Sequence, residues 1–202
     1  TWYDQGGTNH ASQPLVSKMP LLVDGGTLVT EGGKPALDFD GADDHLFTNS
    51  AYPTSNNQAS FIAASSTGNN QRLVDTRGIG SSGTLIGWQM KFSNGSDVDS
   101  NDSGSAAIST INVVRTGHNL ISSIGSLTSL ESFSNGTLSA TSTGSLTTFN
   151  SGNALYIAAN VNGANSQIYG GFVQEMIFFN TDQSANRTGI ENNINDHFDI
   201  YS

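Results

Sequence analysis

Two segments of this chain constrain its fold more than any others, because each has the pattern of strands inside a sandwich. The first, Lys34–Leu46, reads KPALDFDGADDHL: a strand, a tight acidic turn and a second strand. The second, Gly171–Asn180, reads GFVQEMIFFN and is apolar on both faces. A strand that is apolar on both faces has to be covered on both faces, so we expect this segment to be buried.

The composition of the 202-residue chain favours an all-β protein. Charged residues make up 12% of the chain, about half the usual share, whereas Gly, Ser, Thr and Asn are abundant. Such a chain is poor in helix formers and rich in turn formers. Ten Phe, five Tyr and two Trp are too many aromatic residues for a disordered coil. We therefore expect one folded domain spanning residues 1–202.

The formal net charge of −10 and the absence of Cys exclude several classes of protein. A nucleic-acid-binding protein needs a basic footprint, and seven basic residues against seventeen acidic ones provide none. The same acidity disfavours anionic membrane surfaces, and no apolar run approaches the ~18 residues of a spanning helix. Without Cys there is no disulfide, no thiolate nucleophile and no zinc–thiolate site.

The chain opens on the sequence TWYD, which looks like the middle of a strand. We expect Thr1–Tyr3 to pair within a sheet, because the side chains of Trp2 and Tyr3 need burial. A native protein would rarely begin in this way. The chain is therefore expected to be a fragment, with other parts of a larger parent protein among its partners.

Short-range patterns predict further strands and turns. In Thr84–Phe92, apolar residues alternate with others at the period of two that is typical of a half-buried strand. Trp88 is therefore expected to be at least four-fifths buried, and so is Phe179 in its doubly apolar strand. Asn135-Gly136 is the strongest hairpin signal in the chain. The polar stretch Ser93–Ser109 is predicted to be a long loop.

One helix is predicted near the end of the chain. Apolar residues recur there at near-helical spacing, at positions 190, 194, 198 and 201. Asp182 or Ser184 can cap the first turn, and Gly189 weakens the helix by about 1 kcal/mol. We expect this helix to lie across the sandwich through its apolar stripe.

Three motifs occur in an order that resembles the concanavalin A-like lectin/glucanase superfamily, in particular its laminin-G-like branch. The motifs are FDGADD at Phe39–Asp44, SNG at Ser134–Gly136 and GFVQEMIFFN at Gly171–Asn180. The resemblance implies an all-β fold, a two-sheet antiparallel jelly-roll sandwich that ends in the predicted C-terminal helix. It also implies carbohydrate, either a glycan or a polysaccharide, as the class of partner.

The opening WYDQGGTNH, with Gln13-Pro14 and Gly33–Leu37, is similar to the start of the α-L-arabinofuranosidase B catalytic domain of fungi. Many phage and marine bacterial proteins share this opening. The resemblance implies a sugar-handling protein that is extracellular or virion-associated. The enzyme family depends on a disulfide-supported site, whereas this chain has no Cys, and no catalytic residue can be carried over by motif.

Glycoside hydrolysis needs two carboxylates about 5–5.5 Å apart for retention, or about 6.5–9.5 Å apart for inversion. Glucanases of the superfamily that the chain resembles place them on one strand as Glu-x-Asp-x-x-Glu. None of the Glu residues here begins that pattern: Glu31, Glu131, Glu175 and Glu191. We therefore predict a non-catalytic carbohydrate-binding or adhesion domain without a convergent carboxylate pair. A glycoside hydrolase and a purely structural virion or surface-fibre module remain as alternatives.

Two acidic clusters bear on metal binding. Four Asp residues crowd positions 38–44, which is compatible with a calcium loop, a catalytic pair or an Asx-rich turn. In a turn, water is expected to keep all four carboxylates ionised. Asp97, Asp99 and Asp102 place oxygen ligands with the spacing of a calcium loop. Calcium is therefore a candidate cofactor there, with a solvated acidic loop as the alternative.

Five residues form the candidate ligand-binding set: Tyr52, Arg72, Arg77, His118 and Tyr169. The two Tyr residues and His118 fall in loop or strand-end contexts, where a side chain can meet a ligand. Arg72 and Arg77 are scarce cations in an acidic chain and can grip an acidic sugar. By contrast, the Trp in Thr84–Phe92 shares a strand face with apolar residues and is expected to face the core.

Overall fold

The strand-forming segments pair into two antiparallel sheets that pack face to face as a jelly-roll sandwich. The computed structural model describes residues 1–52, 54–68, 70–79, 85–92, 97–102, 108–112, 117–126, 128–143, 152–160 and 167–202. For 78–79, 85–86, 97–102 and 108–112 it describes the backbone alone. The predicted fold class, all-β with a C-terminal helix, is confirmed.

The first sheet, sheet A, contains seven of the described strands. Their order across the sheet is β1 (Ala11–Ser12), β7 (Leu46–Ala51), β18 (Ala154–Ile157), β9 (Gln71–Asp75), β12 (Trp88–Phe92), β13 (Asp97–Asp102) and β14 (Ile108–Asn112). Neighbouring strands are antiparallel throughout.

The second sheet, sheet B, contains six of the described strands. Their order is β17 (Thr137–Thr143), β16 (Ser129–Ser134), β15 (Asn119–Gly125), β8 (Gln58–Ser66), β19 (Gly170–Phe179) and β6 (Leu37–Asp40). Three small hairpins complete the strands: β2 (Val23–Asp24) with β3 (Thr27–Leu28), β4 (Thr30–Glu31) with β5 (Lys34–Pro35), and β10 (Gly78–Ile79) with β11 (Leu85–Ile86).

The main core lies between the sheets and is built from alternate residues of their strands. Trp88 is fully buried there, as its period-two strand predicts. Phe179 lies on the other face of sheet B and is partly buried against a second, smaller cluster. Gly171 lets β19 approach β8 closely, because its φ is +135° and a Cβ there would collide with the Ser65 carbonyl oxygen.

The α-helix α1 (Arg187–Phe198) covers the outer face of sheet B. Its residues Ile194 and Phe198 pack on Phe61, Leu120 and Phe133 of the sheet. This burial supports a helix that contains Gly189 and would be marginal alone. No helix in the described ranges is long and apolar enough to cross a membrane.

The helix begins later than the predicted caps imply. Its N-cap is Asn186, which makes no side-chain capping bond. Asp182 and Ser184 instead form the preceding turn, where the Ser184 N–H donates to Asp182 Oδ1 at 2.8 Å. The predicted caps are therefore wrong, because this Asx turn competes with helix initiation.

The predicted loop at Ser93–Ser109 is also wrong, since it contains β13. This strand pairs with β12 on one side and β14 on the other. Asp, Ser and Asn have low strand propensity, but tertiary pairing overrides that preference. The predicted strand Thr84–Phe92 is in turn divided at Gly87, whose φ of +112° separates β11 from β12.

The N-terminal segment pairs with sheet A at one residue. The Trp2 N–H donates to the Ala11 carbonyl at 2.7 Å, and the Ala11 N–H donates to the Trp2 carbonyl at 3.0 Å. The predicted pairing is therefore confirmed at Trp2. The predicted burial of Tyr3 is wrong, because Tyr3 is 64% exposed.

Candidate functional site

A cleft of about 660 Å³ lies where the N-terminal segment faces β19. Its volume is within the usual range for small-ligand sites, about 300–1,000 Å³. One wall is Trp2–Gly6 with Asn9, and the other is Gln174–Asn180. Residues of β7 and β18, Thr48 and Leu155 among them, close the cleft between these walls.

Side-chain bonds to the backbone shape the N-terminal wall. Asp4 accepts the N–H of Gly6 through Oδ1 at 2.8 Å and that of Asn9 through Oδ2 at 3.0 Å. Asn9 Oδ1 accepts the Ser50 N–H at 2.8 Å, and Asn9 Nδ2 donates to the Ser50 carbonyl at 3.3 Å. Asx bonds of this kind fix a loop without regular pairing, so the sequence TWYDQGGTN folds here into a defined wall.

Tyr3 presents an aromatic ring at this wall. The ring packs edge-on against His10, with 5.2 Å between centroids and an interplanar angle of 69°. Most of the ring remains open to solvent. A Tyr ring has two rotatable side-chain bonds and offers a large contact area at low entropy cost, so Tyr3 is well suited to contact a ligand.

The opposite wall is an edge of sheet B. β6 pairs with β19 only from Gly170 to Val173, so the segment from Gln174 onward has β8 on one side and the cleft on the other. Gln174 Nε2 donates to the carbonyls of Glu31 and Lys34, at 2.9 and 3.1 Å. Its Oε1 is buried and accepts no hydrogen bond from the described residues. The Gln174 amide is therefore enclosed by the protein, and its oxygen is not exposed to the cleft.

Tyr52 and Phe178 form the apolar floor of the cleft, with their rings 5.0 Å apart. The Tyr52 hydroxyl donates to the carbonyls of Ala59, at 3.3 Å, and Phe179, at 3.1 Å. This hydroxyl is therefore used within the protein, and the ring is buried in the main core.

Asp4 is the charged side chain of the N-terminal wall, and the described lining residues include no Lys, Arg or His. Glu175 shares a strand face with Ile177 and Phe179, which pack against α1. Burial raises the pKa of Glu175, whereas His197 of α1 opposes this rise. A carboxylate without a cation in the cleft disfavours an anionic ligand.

A second group of polar and aromatic side chains lies on the outer face of sheet A. The register aligns Phe47, Tyr156, Asp75 and Gln89 in one row across four strands. The row points away from the core. Met90, which follows Gln89 in β12, belongs to the core, and successive residues of a strand point to opposite faces of the sheet. Phe47 and Tyr156 are half-buried, with rings 5.8 Å apart.

Arg72 and Arg77 join this row through Asp75. Arg77 Nε donates to Asp75 Oδ1 at 3.0 Å, and Arg72 Nη1 lies 3.3 Å from Asp75 Oδ2. The structure therefore brings together the two arginines of the predicted ligand-binding set, about a carboxylate that was not part of that set.

The remaining predicted ligand-binding residues lie elsewhere. Tyr169 is fully buried between the sheets, and its hydroxyl donates to the carbonyls of Ser65 and Phe172, at 2.6 and 3.1 Å. His118 is half-buried with its ring edge-on to Phe198 at 6.2 Å. The expected loop exposure is wrong for Tyr52 and Tyr169, because both rings fill the core and their hydroxyls satisfy backbone carbonyls.

The acidic turn at 38–44 is an Asx turn. Asp40 Oδ1 accepts the N–H groups of Ala42, Asp43 and Asp44 at 2.8, 3.2 and 3.3 Å. Burial opposes ionisation of Asp40, but these backbone bonds prevail and lower its pKa. Asp44 Oδ2 accepts the Asp40 N–H in return, at 3.2 Å.

The expectation that water solvates all four of these carboxylates is wrong for Asp44. Asp44 is 6% exposed, and burial raises its pKa to about 6. Burial also raises the pKa of Asp38. Carboxylate oxygens of Asp40, Asp43 and Asp44 lie within 4.8 Å of one another, but those of Asp40 and Asp44 already hold the turn together.

The predicted calcium ligands Asp97, Asp99 and Asp102 belong to β13, and their side chains lie outside the described residues. Alternate positions of a strand belong to opposite faces of its sheet. Positions 97 and 99 therefore share one face, and position 102 belongs to the other.

Sequence reasoning missed the functional potential of Tyr3, Asp75 and Tyr156. The signal for Asp75 and Tyr156 is the alternation of side chains along β9 and β18. Once the strands are paired, this alternation places both residues on the face of sheet A that points away from the core. Pairing between β9, β18 and β7 is long-range and is not visible in local sequence. For Tyr3, the neighbouring Asp4 and Asn9 were a usable signal, because such residues can fix an ordered loop through bonds to the backbone.

No protein-family profile matches the chain, and no curated protein sequence matches it. Solved structures do match. A carbohydrate-binding module of the Ruminococcus gnavus IT-sialidase, CBM40 bound to α2,3-sialyllactose, has a TM-score of 0.57 and 14% identity and covers 77% of this chain and 95% of that one. The heptameric SAP-like pentraxin of Limulus polyphemus has a TM-score of 0.56 and 10% identity, covering 79% and 82%.

The binding domain of Paraclostridial Mosquitocidal Protein 1 is also similar in structure, with a TM-score of 0.59 and 10% identity. The match covers 95% of this chain and 48% of that one. Likeness at such low identity extends to the fold and not to the ligand. The chain therefore has the jelly-roll sandwich of lectin-like proteins, consistent with the concanavalin A-like fold that its motifs predict.

Proposed function

We propose that this chain is a non-catalytic carbohydrate-binding or adhesion domain of an extracellular or virion-associated protein, and that the cleft binds the sugar. The observation that carries the proposal is the exposed Tyr3 ring at the wall of a cleft of about 660 Å³. Neighbours that share this fold include a carbohydrate-binding module and a toxin binding domain, which supports this choice among the functions that the fold can host.

The chemistry of the cleft fits a sugar. Carbohydrates present apolar C–H faces and a periphery of hydroxyl groups, so their sites combine aromatic rings with planar polar side chains. Tyr3 and Trp2 supply the rings. Asp4 supplies a carboxylate on one wall and the exposed Asn180 supplies an amide on the other, and such groups can accept hydrogen bonds from hydroxyls.

The charge of the cleft selects among sugars. Asp4 repels a sugar carboxylate or sulfate, and the described lining residues provide no cation to compensate. The proposed ligand is therefore a neutral glycan. A volume of about 660 Å³ suits a short stretch of sugar units rather than a single small ion.

A glycan array of neutral and acidic oligosaccharides, probed with and without calcium, tests this proposal. We expect neutral glycans to bind and Tyr3→Ala to weaken that binding at least about tenfold, because loss of an aromatic contact residue commonly costs more than 1 kcal/mol. A calcium dependence would support a metal site that uses Asp97 and Asp99, the two of the predicted ligands Asp97, Asp99 and Asp102 whose positions share a face of β13.

Two control variants make the result specific. Tyr3→Phe keeps the ring and is expected to retain binding. Leu138→Ala removes an equally exposed apolar side chain from β17, outside the cleft lining, and is expected to change nothing. Failure of every neutral glycan to bind would refute the proposal and favour a purely structural module.

A glycoside hydrolase is the second candidate, because the opening of the chain resembles the α-L-arabinofuranosidase B catalytic domain. Asp4 in that opening accepts two backbone N–H groups. Glu175 is partly buried and its pKa is raised, as a general acid requires. Release of sugar from aryl arabinosides, lost in Glu175→Gln and retained in Tyr3→Phe, would establish this function. We expect no release.

A further inference from the structure

The outer face of sheet A carries an unbalanced cluster of charges. Asp75 is 1% exposed, although it points away from the core. Its Oδ1 accepts the backbone N–H and the Nε–H of Arg77, at 2.9 and 3.0 Å, and its Oδ2 accepts Arg77 Nη2–H at 3.2 Å. Arg72 forms an ion pair with the same carboxylate. Two guanidinium groups thus share one carboxylate, so these three groups carry a net charge of +1. The register places Lys91 beside Arg72 and position 99 beside Lys91 on the same face.

A β-bulge creates this arrangement. The register of β9 against β12 shifts between Met90 and Lys91, so Leu73 and Val74 both face the core. Arg72 and Asp75, on either side of them, can then both lie on the outer face. Bulges re-aim side chains in this way and are frequent next to functional sites.

The donors of the cluster are not all used. Arg72 is 6% exposed, and its Nε is buried without a hydrogen bond to any described residue. Its Nη2 donates to Gln167 Oε1. Within the described chain, Asp75 is the one carboxylate in ion-pair contact with Arg72 or Arg77. A buried charge without full compensation is costly, and a second anion would supply that compensation.

The register places an aromatic surface beside the cluster. Tyr156 is the cross-strand neighbour of Asp75, and Phe47 is the next residue along the same row. Both rings are half-buried, so each shows part of its surface to solvent. Guanidinium groups bind carboxylates through paired N–H donors, and the adjacent rings can contact the apolar face of a sugar.

We propose that this face is a second ligand site, which binds a carboxylate-bearing sugar of the uronic or sialic acid class. The sugar carboxylate is held by Arg77, the more exposed of the two arginines, and the buried Arg72 adds positive charge behind it. The sugar ring lies on Tyr156. The proposal rests on carbohydrate binding as the function of the domain, but it uses residues separate from the cleft. The two sites divide ligands by charge, with neutral sugars in the cleft and acidic sugars on the outer face of sheet A.

The test is an NMR titration of ¹⁵N-labelled protein with methyl β-D-glucuronide and the methyl α-glycoside of N-acetylneuraminic acid. The methyl ester of each acid is the matched neutral probe. We expect at least one acid to shift the backbone amides of 72–77 and Tyr156 in a saturable way, with its ester at least about tenfold weaker. Arg77→Gln is expected to abolish the preference for the acid.

Tyr3→Ala alters the cleft but not the outer face of sheet A, so it is expected to leave this titration unchanged. Binding of the acid at the second site can therefore be judged even if the cleft binds no sugar. Arg77→Lys checks that Arg77→Gln acts through binding, because it keeps the charge but loses the planar fork and should give intermediate affinity. Four outcomes would each overturn the proposal. The acid and its ester could give equal shifts, the shifts could be confined to the cleft residues 2–9 and 174–180, neither acid could give a shift, or Arg77→Gln could leave the preference for the acid unaltered.

Discussion

The outer faces of the two sheets each carry a buried arginine–carboxylate contact, but they differ in charge balance and in what covers them. On sheet B, Arg187 and Glu191 pair one to one within α1, and the helix covers the face. On sheet A, two arginines share Asp75, and no described helix covers the face. The same two residue types therefore serve different ends on the two faces.

The sheet B pair is built into the packing. The Arg187 guanidinium lies 4.0 Å from the centroid of the Phe133 ring and donates to the Gly136 carbonyl at 3.3 Å. Glu191, 1% exposed, accepts from the same guanidinium. This arrangement attaches α1 to the β16–β17 hairpin. Each contact leaves one buried group without a hydrogen bond to the described residues, Glu191 Oε1 on sheet B and Arg72 Nε on sheet A. The two faces therefore differ in charge: a neutral pair indicates a structural role, whereas surplus charge indicates a binding role.

Removing the apolar contact of α1 should have the largest effect on stability. Phe198→Ala deletes a buried ring from the cluster between α1 and sheet B, and such deletions cost about 3–5 kcal/mol. Urea unfolding followed by circular dichroism measures the change. Phe47→Ala is the matched substitution on sheet A, where the ring is half-buried. We expect it to cost at least about 1 kcal/mol less, and equal costs would contradict the distinction between a covered and an open face.

Breaking the balanced pair should have the next largest effect. Arg187→Ala leaves the Glu191 carboxylate buried without its partner, which costs about 3 kcal/mol or more. The double variant Arg187→Ala/Glu191→Gln removes the unpaired charge and is expected to recover part of this loss in the same unfolding assay. If the double variant is no more stable than Arg187→Ala, the cost arises from lost packing on Phe133 rather than from charge.

The pair also predicts a dependence of stability on pH. Burial raises the pKa of Glu191, although Ser122 and Arg187 oppose this rise. Because the folded-state pKa lies above the unfolded value, the carboxyl contributes most below pH 4.5, and its contribution falls as the pH rises through the folded pKa. Wild type should therefore lose stability relative to Glu191→Gln as the pH rises from 4 to 7. Parallel stability curves for the two proteins would contradict the raised pKa.

Local sequence was sufficient for most of the fold. Asn135-Gly136 predicted the hairpin of β16 and β17, and the alternation around Trp88 predicted a strand with one core face, because turns and period-two burial are local properties. It was insufficient for β13, whose Asp, Ser and Asn residues resemble a loop. Only pairing with β12 and β14 makes that segment a strand, and pairing between strands is a tertiary property.

The candidate sites were predicted less well than the fold. Arg72 and Arg77 were selected because cations are scarce in this chain, and that chemical criterion does not depend on the fold. Tyr52 and Tyr169 were selected as loop residues, but both rings fill the core. Whether a Tyr hydroxyl meets a ligand or a backbone carbonyl depends on which strands neighbour it, and the sequence does not show this.

The smallest effect on stability is expected from breaking the unbalanced cluster, and it separates the two faces most clearly. Arg77→Ala leaves Asp75 paired with Arg72, so no buried carboxylate loses its last partner and two like charges are no longer held together. We therefore expect a change in unfolding free energy below about 1 kcal/mol, since the lost contacts are those of a partly exposed side chain. The measurement is the same urea titration used for Arg187→Ala, at pH 7 and equal ionic strength. A loss as large as that of Arg187→Ala would show that both arginines are needed to hold Asp75, and the cluster on sheet A would then be as structural as the pair on sheet B.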